Sequence, residues 1–226
     1  MESTLKIRYK YINRVVNDLY ISLGINQYPI DVNKVLASFP DVSVVSYSQF
    51  MKDFNLTVEQ TFYYLNSKDG CCLYKPSLDK YMIYYNDITI HNKNRIKWTI
   101  IHELAHICCK HYHLSNTLLA NYTDDEIYDF KEHEANYFTS MFLAHQAILL
   151  NLNIHNSYEI EVFCNLSTEA AKYRYKNFLK WTSYSFTTSS DRYIVRKFKY
   201  YIDSKNQDYQ EHQAFMQAFY LSLIHI

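Results

Sequence analysis

The sequence predicts an α+β protein, rich in helix, with a small antiparallel sheet beside one long helix and a helical region at the C-terminal end. Three observations carry that expectation. Glycine occurs twice and proline three times in 226 residues, so few residues that break helices are present. Within residues 92–110, Trp98, Ile101, Leu104, Ala105 and Cys108 recur at spacings of three and four, the period of a helix with one apolar face. Three short runs read as strands and cluster just ahead of that helix: 42–47, rich in valine, then 71–74 after the Asp69-Gly70 turn, and 80–86.

The elements follow in order. A first helix is predicted over 5–23, ended by Gly24. Asp31 is placed to cap a second, to about residue 38. The strand at 42–47 begins just after Pro40. Thr57 and Gln60 form a capping box for a helix over 57–67. Asp69-Gly70 makes a turn, and the linker 76–79 suits a hairpin between the next two strands. Thr123 caps the helix after 92–110, with Glu126 at the capping-box position and acidic residues complementing the helix dipole. That helix is read as running to about residue 149. Helices over 158–164 and 167–181, joined by a tight turn, resemble a helix-turn-helix. Residues 182–190, rich in Ser and Thr, read as a linker, and 191–226 as one or two amphipathic helices. The expected organisation is one unit over 1–150, the helical pair of 151–182 packed on it, and a helical extension over 191–226.

Composition excludes several classes of function. Lys and Arg total 23 and Asp and Glu total 23, so no global basic field favours nucleic acid. Lys172, Arg174, Lys176 and Lys180 lie on the second helix of the pair, yet direct DNA binding is not expected of a neutral chain. No run approaches the roughly 18 apolar residues of a membrane span, and residues 1–10 lack the apolar core of a signal peptide. The cysteines are five, with two adjacent pairs and no C-x-x-C, which reads as a reduced, cytoplasmic chain.

The chemistry centres on His102-Glu103-Leu104-Ala105-His106, an H-E-x-x-H motif on the helix of 92–110. Positions i and i+4 differ by about 40° of rotation, so both imidazoles leave one face close enough to hold one ion. Glu103 is rotated off that pair and has the place of the general base in zinc peptidases. A catalytic zinc site needs a third protein ligand and one open position. On the following helix Glu132 and Asn136 share a face with the small residues Ala135 and Thr139, which would let the two helices pack closely. Glu134 is rotated by roughly 200° from Glu132. Helical phase therefore favours Glu132 as the ligand, Asn136 as the group that orients a ligand histidine, and a solvated face for Glu134. Cys109 is a rival ligand on the His102 face, but three ligands on one straight helix do not surround an ion tetrahedrally. His111 and His113 read as loop or rim residues beyond the helix end.

The stretch from Trp98 to His106, followed by Glu132-His133-Glu134-Ala135-Asn136-Tyr137-Phe138, resembles the ImmA/IrrE family of metallo-endopeptidases. So do Ile83-Tyr84-Tyr85-Asn86 upstream, the segment from Phe163 to Ala171 with Arg174 downstream, and the early Pro29-Ile30-Asp31-Val32. The similarity spans about residues 10–180. Ala105 stands where the family usually has glycine. His145 stands near the family's Met-Pro stop, so the second helix is expected to run on. The resemblance implies a zincin-like fold of the gluzincin type, with Zn²⁺ on His102, His106 and Glu132, and Glu103 as the base. In zincins a sheet edge beside the metal binds an extended peptide through main-chain hydrogen bonds, and residues 81–85 are expected to be that edge. The substrate or partner it implies is a helix-turn-helix repressor, cut to relieve repression in mobile-element or stress regulation. The alternative is a metal-stabilised binding module, or a toxin–antitoxin component, that sequesters such a repressor without cutting it.

Overall fold

A computed structural model describes residues 5–114, 119, 122–184 and 187–224, with side chains as far as 217. Residues 185–186 of the predicted linker and 225–226 of the tail lie outside the described residues. Helix α1, Tyr9–Ser22, buries Ile12, Val16 and Tyr20 at helical spacing, and Gly24 follows it at φ 61°. It starts four residues later than predicted. Residues 5–8 are not helical, and Arg8 turns its backbone N–H and its side chain to Glu134. Asp31 caps α2, Val32–Leu36, accepting from the N–H groups of Asn33 and Lys34.

Strand β1, Val42–Ser46, runs straight into α3, Tyr47–Asp53, a helix the sequence reading did not find. Ser46 ends the strand and caps the helix through its side chain. The Thr57/Gln60 capping box opens α4, Val58–Leu65. Then come β2, Gly70–Lys75, and β3, Lys80–Tyr85.

The sheet departs from expectation in two ways. It is mixed, because β1 pairs with β3 in parallel and only β2 with β3 is antiparallel. A parallel pair needs a crossover, which α3, α4 and β2 supply. The order is β1-β3-β2, so residues 81–85 form the central strand and not an edge. Burial on both faces explains this. Tyr81 and Ile83 join the main core, while Tyr84 packs with Tyr47 and Leu65 under α3 and α4. The edge facing the long helix is β2.

That helix is α5, Lys93–Cys108, capped by the Asn92 side chain. It lies on β2 and β3 on one side and on α6, Asp124–Leu143, on the other. Ala105 and Ala135 are fully buried in the shared core. Gly70 sets the spacing between sheet and helix. A Cβ there would sit 2.5 Å from Thr99 Cγ2 and 2.6 Å from the Tyr84 carbonyl oxygen. Gly70→Ala is therefore expected to cost about 1–3 kcal/mol through overpacking, read as a lower urea midpoint. An unchanged midpoint would show that sheet and helix can separate freely.

Helix α6 stops at Leu143, short of the predicted 149. Ala144 leaves the helical region at φ −151°, and His145 caps α7, Gln146–Asn151. The break is held from afar: the His145 N–H donates to the Tyr28 hydroxyl, Arg174 Nε donates to the Ala144 carbonyl, and His145 Nε2 meets Asn17 Oδ1 at 2.7 Å. Helices α8, Ser157–Cys164, and α9, Thr168–Ser183, form the expected pair. Arg174 is buried in it, whereas Lys172, Lys176 and Lys180 are exposed. A Thr188/Asp191 capping box opens α10, Ser189–Lys197, and α11, Lys199–Ile224, leaves the core after Ile202. One core runs from Ile12 to Ile202. Among the described residues no helix is long and apolar enough to cross a membrane.

Candidate metal centre

The cleft between β2, α5 and α6 contains His102, Glu103, His106, Glu132 and Asn136. The two imidazoles leave α5 one turn apart, and their Nε2 atoms are 3.2 Å from each other. Glu132 reaches across from α6, with Oε2 3.2 Å from His102 Nε2 and Oε1 3.3 Å from His106 Nε2. A tetrahedral ion such as zinc, with N and O ligands at about 2.0–2.1 Å, spaces its donors about 3.3–3.4 Å apart. The two imidazole nitrogens, and the Glu132 oxygen nearest to each, stand close to that spacing, so the residues fit a divalent ion. Asn136, one turn beyond Glu132, hydrogen-bonds to the His102 side chain.

The electrostatics favour an ionised carboxylate against the two imidazoles. Burial works to raise the Glu132 carboxyl, but the imidazoles of His102 and His106 against it outweigh that and hold the group well below the usual carboxylate range. Burial likewise pushes His102 down, and its hydrogen bond to Glu132 with the nearby Glu103 charge leaves it raised.

Glu103 sits in the same cleft but points off the ligand pair. Burial raises its carboxyl above the ordinary value, against the pull of His102 and His106. A backbone hydrogen bond from Cys72 on β2 holds it. The Cys72 carbonyl in turn accepts from the Tyr112 hydroxyl at 3.0 Å. Tyr112 and Tyr128 flank the cleft, and Tyr128 lies one turn before Glu132 with a largely exposed ring.

Two expectations are corrected. Glu134 is not on a solvated face but fully buried, paired with Arg8 through Nη2 at 2.6 Å. His111 is not a rim residue; it is buried on a short 3-10 helix, with Nε2 3.1 Å from Glu134 Oε2. Burial lowers the His111 imidazole to about 4 despite that carboxylate. Neither position could be found from its own neighbours in sequence, because the cover for that side of α6 comes from residues 5–8. His113 does lie at a rim, where its Nε2 meets the Tyr81 hydroxyl at 2.8 Å.

Cys109 does not stand with His102 and His106. It belongs to a second buried group with His111 and Glu134. There the Arg8 guanidinium already occupies the carboxylate, and burial pushes the Cys109 thiol well above its usual value, the Glu134 charge adding to it. A cation would have to displace Arg8.

A family model described as the IrrE N-terminal-like domain, Peptidase_M78, matches residues 48–176, which include every cleft residue named above. No curated protein matches the sequence. Among solved structures, a Mycobacterium tuberculosis transcriptional regulator aligns at 13% identity and a TM-score of 0.49, over 73% of this chain and 46% of that chain.

Proposed function

The chain belongs to the Peptidase_M78 family of IrrE N-terminal-like domains, and from that footing we propose that it is a zinc-dependent endopeptidase. The observation that carries the reading is the meeting of His102, His106 and Glu132, the two Nε2 atoms 3.2 Å apart and a different Glu132 oxygen 3.2 or 3.3 Å from each, with Glu103 beside them in an open cleft. Two histidines and one carboxylate are a donor set that suits zinc and leaves one position free. When bound there, the ion would lower the pKa of a water and polarise the scissile carbonyl. Glu103 accepts the water's proton and later delivers it to the leaving amine. The hydrogen bond from Cys72 keeps its carboxylate aimed across the cleft. Asn136 keeps the His102 ring in its binding orientation.

The edge that would take an extended peptide is β2, since β3 is paired on both sides. A peptide strand at Cys72 would displace the Tyr112 hydroxyl from its carbonyl. The substrate proposed is a helix-turn-helix repressor, cut to relieve repression, and the setting is the cytoplasm, which suits five unpaired cysteines. The test is incubation of the zinc-loaded protein with the helix-turn-helix protein encoded beside its gene, with and without chelator, read by mass spectrometry. Two fragments that vanish with chelator are expected. Tight binding of an intact repressor would instead favour sequestration, a reading that gives Glu103 no task.

A further inference from the structure

His106 is held from both sides. Its Nε2 faces Glu132 and His102, and its Nδ1 lies 3.0 Å from Nδ1 of His111. Two ring nitrogens at that distance share one proton: one donates it and the other accepts. The other nitrogen of His111 decides which. His111 Nε2 is 3.1 Å from Glu134 Oε2, and an ionised carboxylate only accepts. A neutral His111 therefore carries its proton on Nε2 and offers a lone pair at Nδ1. His106 must then carry its own proton on Nδ1, which leaves Nε2 bare and turned toward His102 and Glu132. That is the tautomer an ion requires.

Glu134 is fixed in turn by Arg8. The Arg8 backbone N–H donates to Oε1 at 2.7 Å, Nε to both oxygens at 3.0 and 3.1 Å, and Nη2 to Oε2 at 2.6 Å. Arg8 Nη2 also donates to the Cys109 carbonyl at the end of α5. Arg8 lies outside the segment that the family model matches.

We propose that Arg8, Glu134 and His111 form a positioning relay that holds His106 with Nε2 free for the metal, making the segment ahead of α1 a working part of the metal site. The proposal rests on the metal site of the preceding section, and its test separates the two. Zinc affinity of the full chain is measured by competition with a chromophoric chelator. The His106 tautomer is read from long-range ¹⁵N–¹H spectra of the metal-free protein. His111→Leu, which removes the acceptor, is expected to weaken zinc binding by about 10–100-fold and to mix the His106 tautomers. His111→Gln, whose amide oxygen can accept from Nδ1–H, is expected to recover most of both. Arg8→Ala, at a partly exposed position, is expected to shift both readouts in the same direction as His111→Leu without emptying the core. Unchanged affinity and tautomer in His111→Leu and Arg8→Ala, with Glu132→Ala defective, would overturn the relay and leave the metal site standing. Wild-type affinity in Glu132→Ala would overturn the metal site, while the metal-free spectra would still report on the relay. Thiolate-to-metal charge transfer with cobalt that is lost in Cys109→Ala would put the ion on Cys109, His111 and Glu134 and overturn the relay outright.

Discussion

Glu103→Gln is expected to bind zinc with wild-type stoichiometry and to lose peptide hydrolysis by at least about 10²–10⁴-fold, the range a general base contributes. The substitution keeps the side chain's size and one oxygen, so the hydrogen bond from the Cys72 backbone has an acceptor and the ring positions of His102 and His106 are not disturbed. Only the capacity to take a proton is removed. Glu103 is well placed for that task, because burial raises its carboxyl above the ordinary value and makes it a stronger base than an exposed glutamate. Zinc content by atomic absorption and fragment yield by mass spectrometry check the two halves separately. Full hydrolysis with full zinc would show that another group, or none, takes the proton.

The second large effect distinguishes two glutamates that stand two residues apart. Glu132→Ala is expected to lose zinc to dialysis against a weak chelator, since one of three protein donors is gone, while keeping its fold. Glu132 is 30% exposed and its loss leaves no buried charge behind. Glu134→Ala is expected to do the reverse in large part. It removes the fully buried partner of Arg8 and His111, and breaking such a pair costs about 3 kcal/mol. The low end of the usual range applies because Arg8 is 27% exposed and can still reach water. Its metal affinity falls through the relay, less than that of Glu132→Ala. Urea unfolding of the metal-free variants and their zinc content after dialysis give the two axes. Zinc kept by Glu132→Ala and lost by Glu134→Ala would invert the assignment.

What was legible in the sequence is what depends on a few adjacent residues. Two histidines at i and i+4 share a face wherever a helix forms, and the same arithmetic set Glu132 apart from Glu134 and put Asn136 one turn beyond. Caps at Asp31, Thr57 and Thr123 are local hydrogen bonds, and each stands in the structure. Features that depend on distant parts of the chain were not legible. Phase correctly turned Glu134 away from Glu132, but it could not show that Arg8, 126 residues earlier, covers that side. Ala144 carries no breaker of its own, and the stop in α6 comes from Tyr28, Asn17 and Arg174. The sheet order had the same difficulty. A hairpin between β2 and β3 is read from its turn, whereas the parallel β1–β3 pair forms only once α3 and α4 fold across, and α3 was hidden because Ser46 closes the strand as it opens the helix.

The central claim is that one metal ion sits on His102, His106 and Glu132, and X-ray absorption at the zinc edge tests it most directly. With one equivalent of zinc, the expected shell holds only nitrogen and oxygen at about 2.0–2.1 Å, with the outer scattering of two imidazoles. A sulfur neighbour at about 2.3 Å would put a cysteine in the shell and contradict the assignment.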